Sequence, residues 1–482
     1  MNNSTTTANF TPSRSARISV RRSALQFFLA VCTFVFFAIV PVQAQSQTPA
    51  PATATVTAAD QKTITLEELQ QMALHDNPTF AQAAADIRAA EGRKQQSGVY
   101  PNPTVGYQGE QIRGGSFRGG EQGFFVQQNI VLAGKLGLNQ NIFEQEKKQA
   151  ETEADEQKLR VVTNVKMSFI QALAAQQALE LRQNLGNLAD DAVETSRQLA
   201  NVGQADAPDV LEAEVEAEQA DLAVIMAEQN QQRAWKELAT VVGNPHLHLM
   251  RLEGNLEDTP PIDADALVEK IVNDSPAVKI AELGVKKAEA SLARAKRETV
   301  PDLQLRAGME QNRELLDATG RSVGLQGFAD VGVQIPIFNR NQGVIVASKA
   351  DVERAHREVE RVKLALRERA ATVVQNYAYS QTAAARYKNQ MIPRAQKAYE
   401  MYAKKYSEMA AAYPQVLIAQ RTLMQLQIAY LNSLESFAAN SVALQSYLLT
   451  DGLEAPSQPG EIDRPIREMN VPFQQSPSSK EH

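Results

Sequence analysis

Two groups of side chains in this 482-residue sequence have the type and spacing for chemistry. The first is His246-x-His248 with Met250 close behind. Imidazole and thioether suit a soft metal ion, and alternate residues share a side if the segment is extended. The segment follows Gly243-Asn244-Pro245, however, and a metal site needs three or four ligands, so a plain loop is the competing reading. The second group is Asp206, Asp209, Glu212 and Glu216; the last three are spaced three and four apart and share one helical face. Carboxylates crowded at a narrow opening enrich cations and repel anions, which would make these four a mouth or gate. The competing reading is a solvated face whose first acids cap a helix N-terminus. The sequence shows no Gly-rich phosphate loop and no His-Glu-x-x-His helix, and His75, His356 and His482 stand apart. The only cysteine, Cys32, lies in an apolar N-terminal run. The expectation is a non-enzyme with no cofactor and no resident metal.

The elements that would position the acids begin after a leader. Arg14, Arg17, Arg21 and Arg22 precede an apolar run from Leu25 to Val40 that ends in Pro41-Val42-Gln43-Ala44, the layout of a signal peptide over 1–44. An uncleaved anchor is the alternative, because the run approaches a membrane span in length. Residues 45–62 and 454–482 are polar and rich in Pro, Gln and Ser or Thr, and read as a flexible lead-in and tail. A net charge of -7 without a Lys/Arg cluster in the mature chain argues against nucleic acid. No mature segment offers a continuous apolar helix span, so entry into a membrane would require strands closed into a barrel.

The rest is a duplication. Pro78 and Pro276, Pro101 and Pro301, and Pro208 and Pro414 recur at offsets near 200 residues, each pair in matching surroundings. The first repeat spans 63–250, with strands at about 103–112 and 122–132, a long helix at about 134–201 and a return helix at about 208–243. The second spans 251–453, with strands at about 303–312 and 327–337, a long helix at about 340–409 and a return helix at about 414–450. Period-two alternation such as Leu303, Leu305, Ala307 and Met309 suits a membrane-barrel strand or, equally, a half-buried soluble sheet. The long helices carry coiled-coil-like apolar seams and would reach on the order of 90–100 Å, too long for a globular core. That favours the membrane reading. Four strands cannot close a barrel, so the chain would pool strands with copies of itself. Gly186 and Pro393 interrupt the two long helices near the repeat offset and mark an expected bend, with the short helices after Leu66 and Leu267 packed there as a belt.

The duplicated layout, the Pro-led strands Pro101-Asn102-Pro103 and Pro301-Asp302-Leu303, the stretch Pro336-Ile337-Phe338-Asn339-Arg340-Asn341-Gln342-Gly343 and the tip Asn201-Val202-Gly203 resemble the TolC family of outer-membrane factors. The Pro-Ile-Phe-Asn-Arg stretch is most similar to the heavy-metal branch of CzcC and CusC. The resemblance implies a mainly α fold with a small β part: a coiled-coil barrel plus four membrane strands per protomer, completed as a homotrimer. It also implies a passive efflux duct in outer membrane lipid, served by a periplasmic adaptor (membrane fusion protein) and an inner-membrane pump of the resistance-nodulation-division type. Val202, Gly203, Ala410 and Tyr413 are the expected partner contacts at the hairpin tips. Where relatives carry an acidic pair on the second hairpin, this chain has Pro414-Gln415-Val416-Leu417, and its acids stand on the first hairpin instead. The alternative function is a periplasmic coiled-coil adaptor or scaffold without a pore.

Overall fold

Each repeat opens with two capped helices, and the caps explain where they start. In this computed structural model, which describes residues 63–112, 120–203, 205–315, 320–408 and 413–453, α1 (Leu66–Asp76) begins at Thr65. The Thr65 hydroxyl accepts from the Glu68 amide at 3.3 Å while the Glu68 carboxylate accepts from the Thr65 amide at 3.0 Å, a reciprocal capping box. Asn77 then caps α2 (Pro78–Ser97), with Pro78 in the first turn, where its missing N–H costs nothing. The second repeat repeats the device: Asp263 caps α5 (Ala264–Asp274) and Ser275 caps α6 (Pro276–Arg297). The expected leader, lead-in and tail fall outside the described residues.

A two-residue strand β1 (Thr63–Ile64) pairs in parallel with β4 (Arg251–Leu252), tying the first repeat to the linker between repeats. The main sheet is antiparallel, in the order β2 (Thr104–Glu110), β3 (Glu121–Ile130), β5 (Leu303–Leu315), β6 (Ser322–Val333). Its strand bounds differ from the expected ones in the second repeat. Residues expected to form an outer loop are already strand up to Leu315 and again from Ser322, with a register shift between Asn312 and Leu315. Polar and glycine residues weaken a strand signal, but backbone pairing does not need their side chains. At the other end the alternation continues to Ile337, yet the ladder stops at Val333, shortly before Pro336, which has no N–H to donate.

From the sheet run α3 (Lys135–Asn201) and α7 (Gln342–Arg386). The 67 residues of α3 make it roughly 100 Å long. Returning helices α4 (Ala207–Val242) and α9 (Tyr413–Gln445) complete two hairpins. The second long helix is not continuous: a π turn at Tyr387–Met391 separates α7 from α8 (Ile392–Ser407). Pro393 sits in the first turn of α8, and the wider turn before it accommodates the lost hydrogen bond. Gly186, in contrast, lies buried inside unbroken α-helix.

The C-terminal ends of α2 and α6 pack toward the sheet, far from Gly186. Arg93 and Lys94 of α2 pair with Glu146 and Glu144 of α3, and Arg294 of α6 reaches Asn139. Chain connectivity dictates this: only six residues join α2 to β2, so α2 must end within about 20 Å of the sheet. Gly186 lies 51 residues into α3, about 75 Å away along the axis. The principal core forms where α1, α3, α4 and α9 meet, around Leu69, Val165, Trp235, Leu238 and Leu434. The second repeat builds its own cluster from Ile271, Val278, Leu366, Tyr377, Phe437 and Leu444.

Candidate functional site

The register of the sheet sorts its side chains onto two unlike faces. Val105, Tyr107, Phe124, Val126, Ala307, Met309, Leu325, Val331 and Val333 fall on one face, where the paired positions carry no charged side chain. Val105, Phe124, Leu325 and Val331 are each 68–71% exposed, so nothing among the described residues covers this face. A large bare apolar face marks a surface that meets lipid or another protein. The opposite face carries Gln108, Glu110, Gln127, Arg306, Glu310 and Asp330. Apolar on one side and polar on the other, with free edges at β2 and β6, is the pattern of a segment of membrane barrel. Among the described residues no helix is long and apolar enough to cross a membrane.

Lys135 fixes where sheet becomes helix. Its ammonium is buried, 3.0 Å from the Asp302 carboxylate, which also accepts from the Leu132 amide at 3.0 Å. One carboxylate just before β5 thus ties the second repeat's entry into the sheet to the first repeat's exit into α3.

At the far end of the hairpins α3 ends at Asn201, and Gly203 takes the turn at φ +75°, a region that favours glycine. Val202 beside it is exposed. Asp206 is the N-cap of α4, and its amide donates to the Asp209 carboxylate at 3.3 Å. Of the four acids, then, the first two are engaged in capping. The other observations concern the second hairpin. Glu216 accepts from Arg421 of α9, with Nε at 3.2 Å, and this hydrogen bond and charge, with a further contribution from Glu212, raise the guanidinium's pKa. Tyr406 of α8 packs against a small cluster of Ala189, Val193, Ala213, Ala217 and Leu417. Burial, and then the charge of Asp209, push the Tyr406 hydroxyl above its ordinary range. Asp209, Glu212 and Glu216 therefore stand along the seam between hairpins. Tyr413 opens α9, and Ala410 lies outside the described residues.

The helical spacing of Tyr402, Tyr406 and Tyr413 marks Tyr406 as a packing or interhelix residue, which its place against the small cluster fits, whereas the sequence holds no direct sign of Arg421. A usable signal was present all the same: Arg421 stands 205 residues after Glu216, near the repeat offset, so an acid on one hairpin faces a base on the other. His246 and His248 are both exposed, while Leu247 between them accepts from the Trp235 indole at 3.0 Å. Among the described residues no three of His, Cys, Asp and Glu come together as metal ligands.

The sequence pattern of outer membrane efflux proteins matches residues 69–244 and 267–448, once on each repeat. The chain belongs to the outer membrane efflux protein family. The cobalt-zinc-cadmium resistance protein CzcC of Cupriavidus metallidurans is 25% identical over 371 residues, covering 77% of this chain and 86% of CzcC. Among solved structures, the outer-membrane channel OprN superposes with a TM-score of 0.66 at 17% identity, over 81% of this chain and 91% of OprN. VceC of Vibrio cholerae gives 0.65 at 18% identity, over 80% and 96%, and CusC gives 0.62 at 15%, over 80% and 92%. At these identities the three structures show a shared fold. As an outer membrane efflux protein, the chain is a channel subunit of the outer membrane that extends into the periplasm. Members of the family work with an adaptor and an inner-membrane pump in tripartite systems, and the family is one of transport channels. The pore-free scaffold reading gives way to this match. The apolar face of the sheet is the one suited to lipid, and the polar face is the one suited to an aqueous passage.

Proposed function

We propose that three copies of this efflux protein close one barrel and form a passive exit duct for divalent metal cations, without catalysis. One observation carries the assembly: the four-stranded sheet has a bare apolar face suited to lipid but, among the described residues, two unpaired edges, which lipid does not tolerate. Three such sheets give twelve strands, within the range of membrane barrels. The exposed residues Leu211, Val215, Leu222 and Met226 on α4 add an apolar stripe for a neighbouring subunit. The cargo rests on the likeness to CzcC, whose name specifies cobalt, zinc and cadmium resistance. The four acids support it at the level of charge: repeated three times around an opening, they draw cations in without holding them tightly. The bond from Arg421 to Glu216, and the charge of Asp209 near Tyr406, support reading them as a gate that closes by joining the two hairpins. Val202, Gly203, Ala410 and Tyr413 at the tips meet the periplasmic adaptor, and a pump of the resistance-nodulation-division type feeds the duct. Gly186 and Pro393 are the places where the long helices bend. Growth of a deletion strain on graded cobalt, zinc and cadmium tests the cargo. Restored tolerance on re-expression supports it; unchanged tolerance to all three metals overturns it.

A further inference from the structure

We infer that Arg306 limits the cation preference of the membrane section of the duct, as a fixed positive charge beside Asp330 and beneath a collar of carboxylates. The inference rests on the pore reading above and adds a filter separate from the acidic mouth of the helices. On the polar face of the sheet the charged side chains at the paired positions are Glu110, Glu121, Glu310, Asp330 and Arg306. Arg306 is held in place on three sides. Its guanidinium carbon lies 4.3 Å from the centre of the Phe125 ring and 5.5 Å from that of Phe328. Gln108 accepts from its terminal nitrogen, and its Nε is buried without an acceptor.

Glycines make the slot. Gly106 and Gly308 are the register partners of Phe125 and Phe328, and a Cβ at either would come within 2.6 Å of the partner ring. Both rings can lie down on the sheet only because those positions lack a side chain. Cation–π contact with two rings keeps a long, otherwise flexible side chain in one position. A charge so fixed acts on every passing ion, whereas a free surface arginine would swing aside and be screened.

The collar stands further along the same face. Glu110 and Glu121 are register partners, and Glu310 lies four residues from Arg306 on β5, about 14 Å along the strand toward the outer loops. Each chain thus contributes four carboxylates against one guanidinium at the paired positions, and three chains repeat the imbalance around the wall. The net field favours cations, and Arg306 is the one group on this stretch of wall that opposes them.

Reversal potentials of the purified wild-type protein in planar bilayers, under a potassium chloride gradient, test the filter. Wild type prefers cations. Arg306→Gln raises the cation-to-anion permeability ratio by roughly threefold, because three fixed positive charges leave a confined lumen. Arg306→Lys, which keeps the charge, stays closer to wild type. The combined Glu110→Gln, Glu121→Gln, Glu310→Gln and Asp330→Asn protein leaves Arg306 as the charge at the paired positions, and its ratio falls below unity. This outcome decides the matter if Arg306→Gln fails to assemble; a ratio at unity overturns the role of Arg306. Conducting variants with unchanged reversal potentials overturn the filter alone. A protein that inserts but carries no current even when Arg421→Ala removes the proposed gate pair overturns the pore reading and the filter with it.

Discussion

Glu216 and Arg421 stand 205 positions apart in sequence and meet across one seam of structure. Both side chains are partly exposed, so the pair adds only about 0.2–1 kcal/mol to folding. Its weight is positional: it joins the first hairpin to the second at the proposed gate. Arg421→Ala should therefore leave thermal stability within about 1 kcal/mol of wild type while raising single-channel conductance. Unchanged conductance would return these acids to a capping and solvation role. A second polar set lies higher up. Glu257, in the linker between repeats, accepts from Lys388 in the π turn and from the Tyr430 hydroxyl, each at 2.6 Å. These hydrogen bonds, Lys388 first, hold the Glu257 carboxyl below its ordinary pKa, while burial, then Glu257 itself, raise that of Tyr430. Because the folded-state pKa of Glu257 is depressed, its contribution is fully present above the ordinary carboxylate range. It is lost as pH falls through the lowered value. Denaturation of Glu257→Gln should show a deficit against wild type at pH 7 that closes in acid; a deficit independent of pH would contradict this.

At the scale of elements, the strands, caps and long helices were legible because each has a local cause. Proline at the first helical turn, with Asn77 or Ser275 before it, announces α2 and α6, and alternation announces β5 and β6. Illegible features depend on what is brought from elsewhere in the chain. The π turn at Tyr387–Met391 has no pattern of its own beyond Pro393, and it is secured by Glu257 from the linker. The height at which α2 ends follows from loop length, which the spacing of Gly186 does not encode. The flattened rings of Phe125 and Phe328 require knowing that glycine stands opposite, and register fixes that. Trp235 could be read as a packing residue from its helical spacing. It is 5% exposed in the principal core, with its indole satisfied by Leu247. Trp235→Ala should cost about 3–5 kcal/mol in chemical denaturation, with the loss confined to stability if refolded protein conducts normally. A cost below about 1 kcal/mol would mean that the core is not centred there.

For the molecule as a whole, the duplication was readable from three proline pairs, and the match to the efflux family falls once on each copy. Duplication explains why the sheet has four strands: each repeat supplies one hairpin, and β3 pairs with β5 across the repeats. It also explains the open edges, since two hairpins side by side still leave β2 and β6 unpaired. The sequence could not reveal how the edges are satisfied, because copy number is a property of closure geometry and not of any residue pattern. The central claim is that satisfaction comes from two further copies of the same chain. Sedimentation or native mass measurement of the protein extracted in mild detergent tests it most directly. The account predicts a mass of three chains, with strand content by circular dichroism lost only when that species dissociates. A stable, folded single chain that retains its full strand content would contradict it.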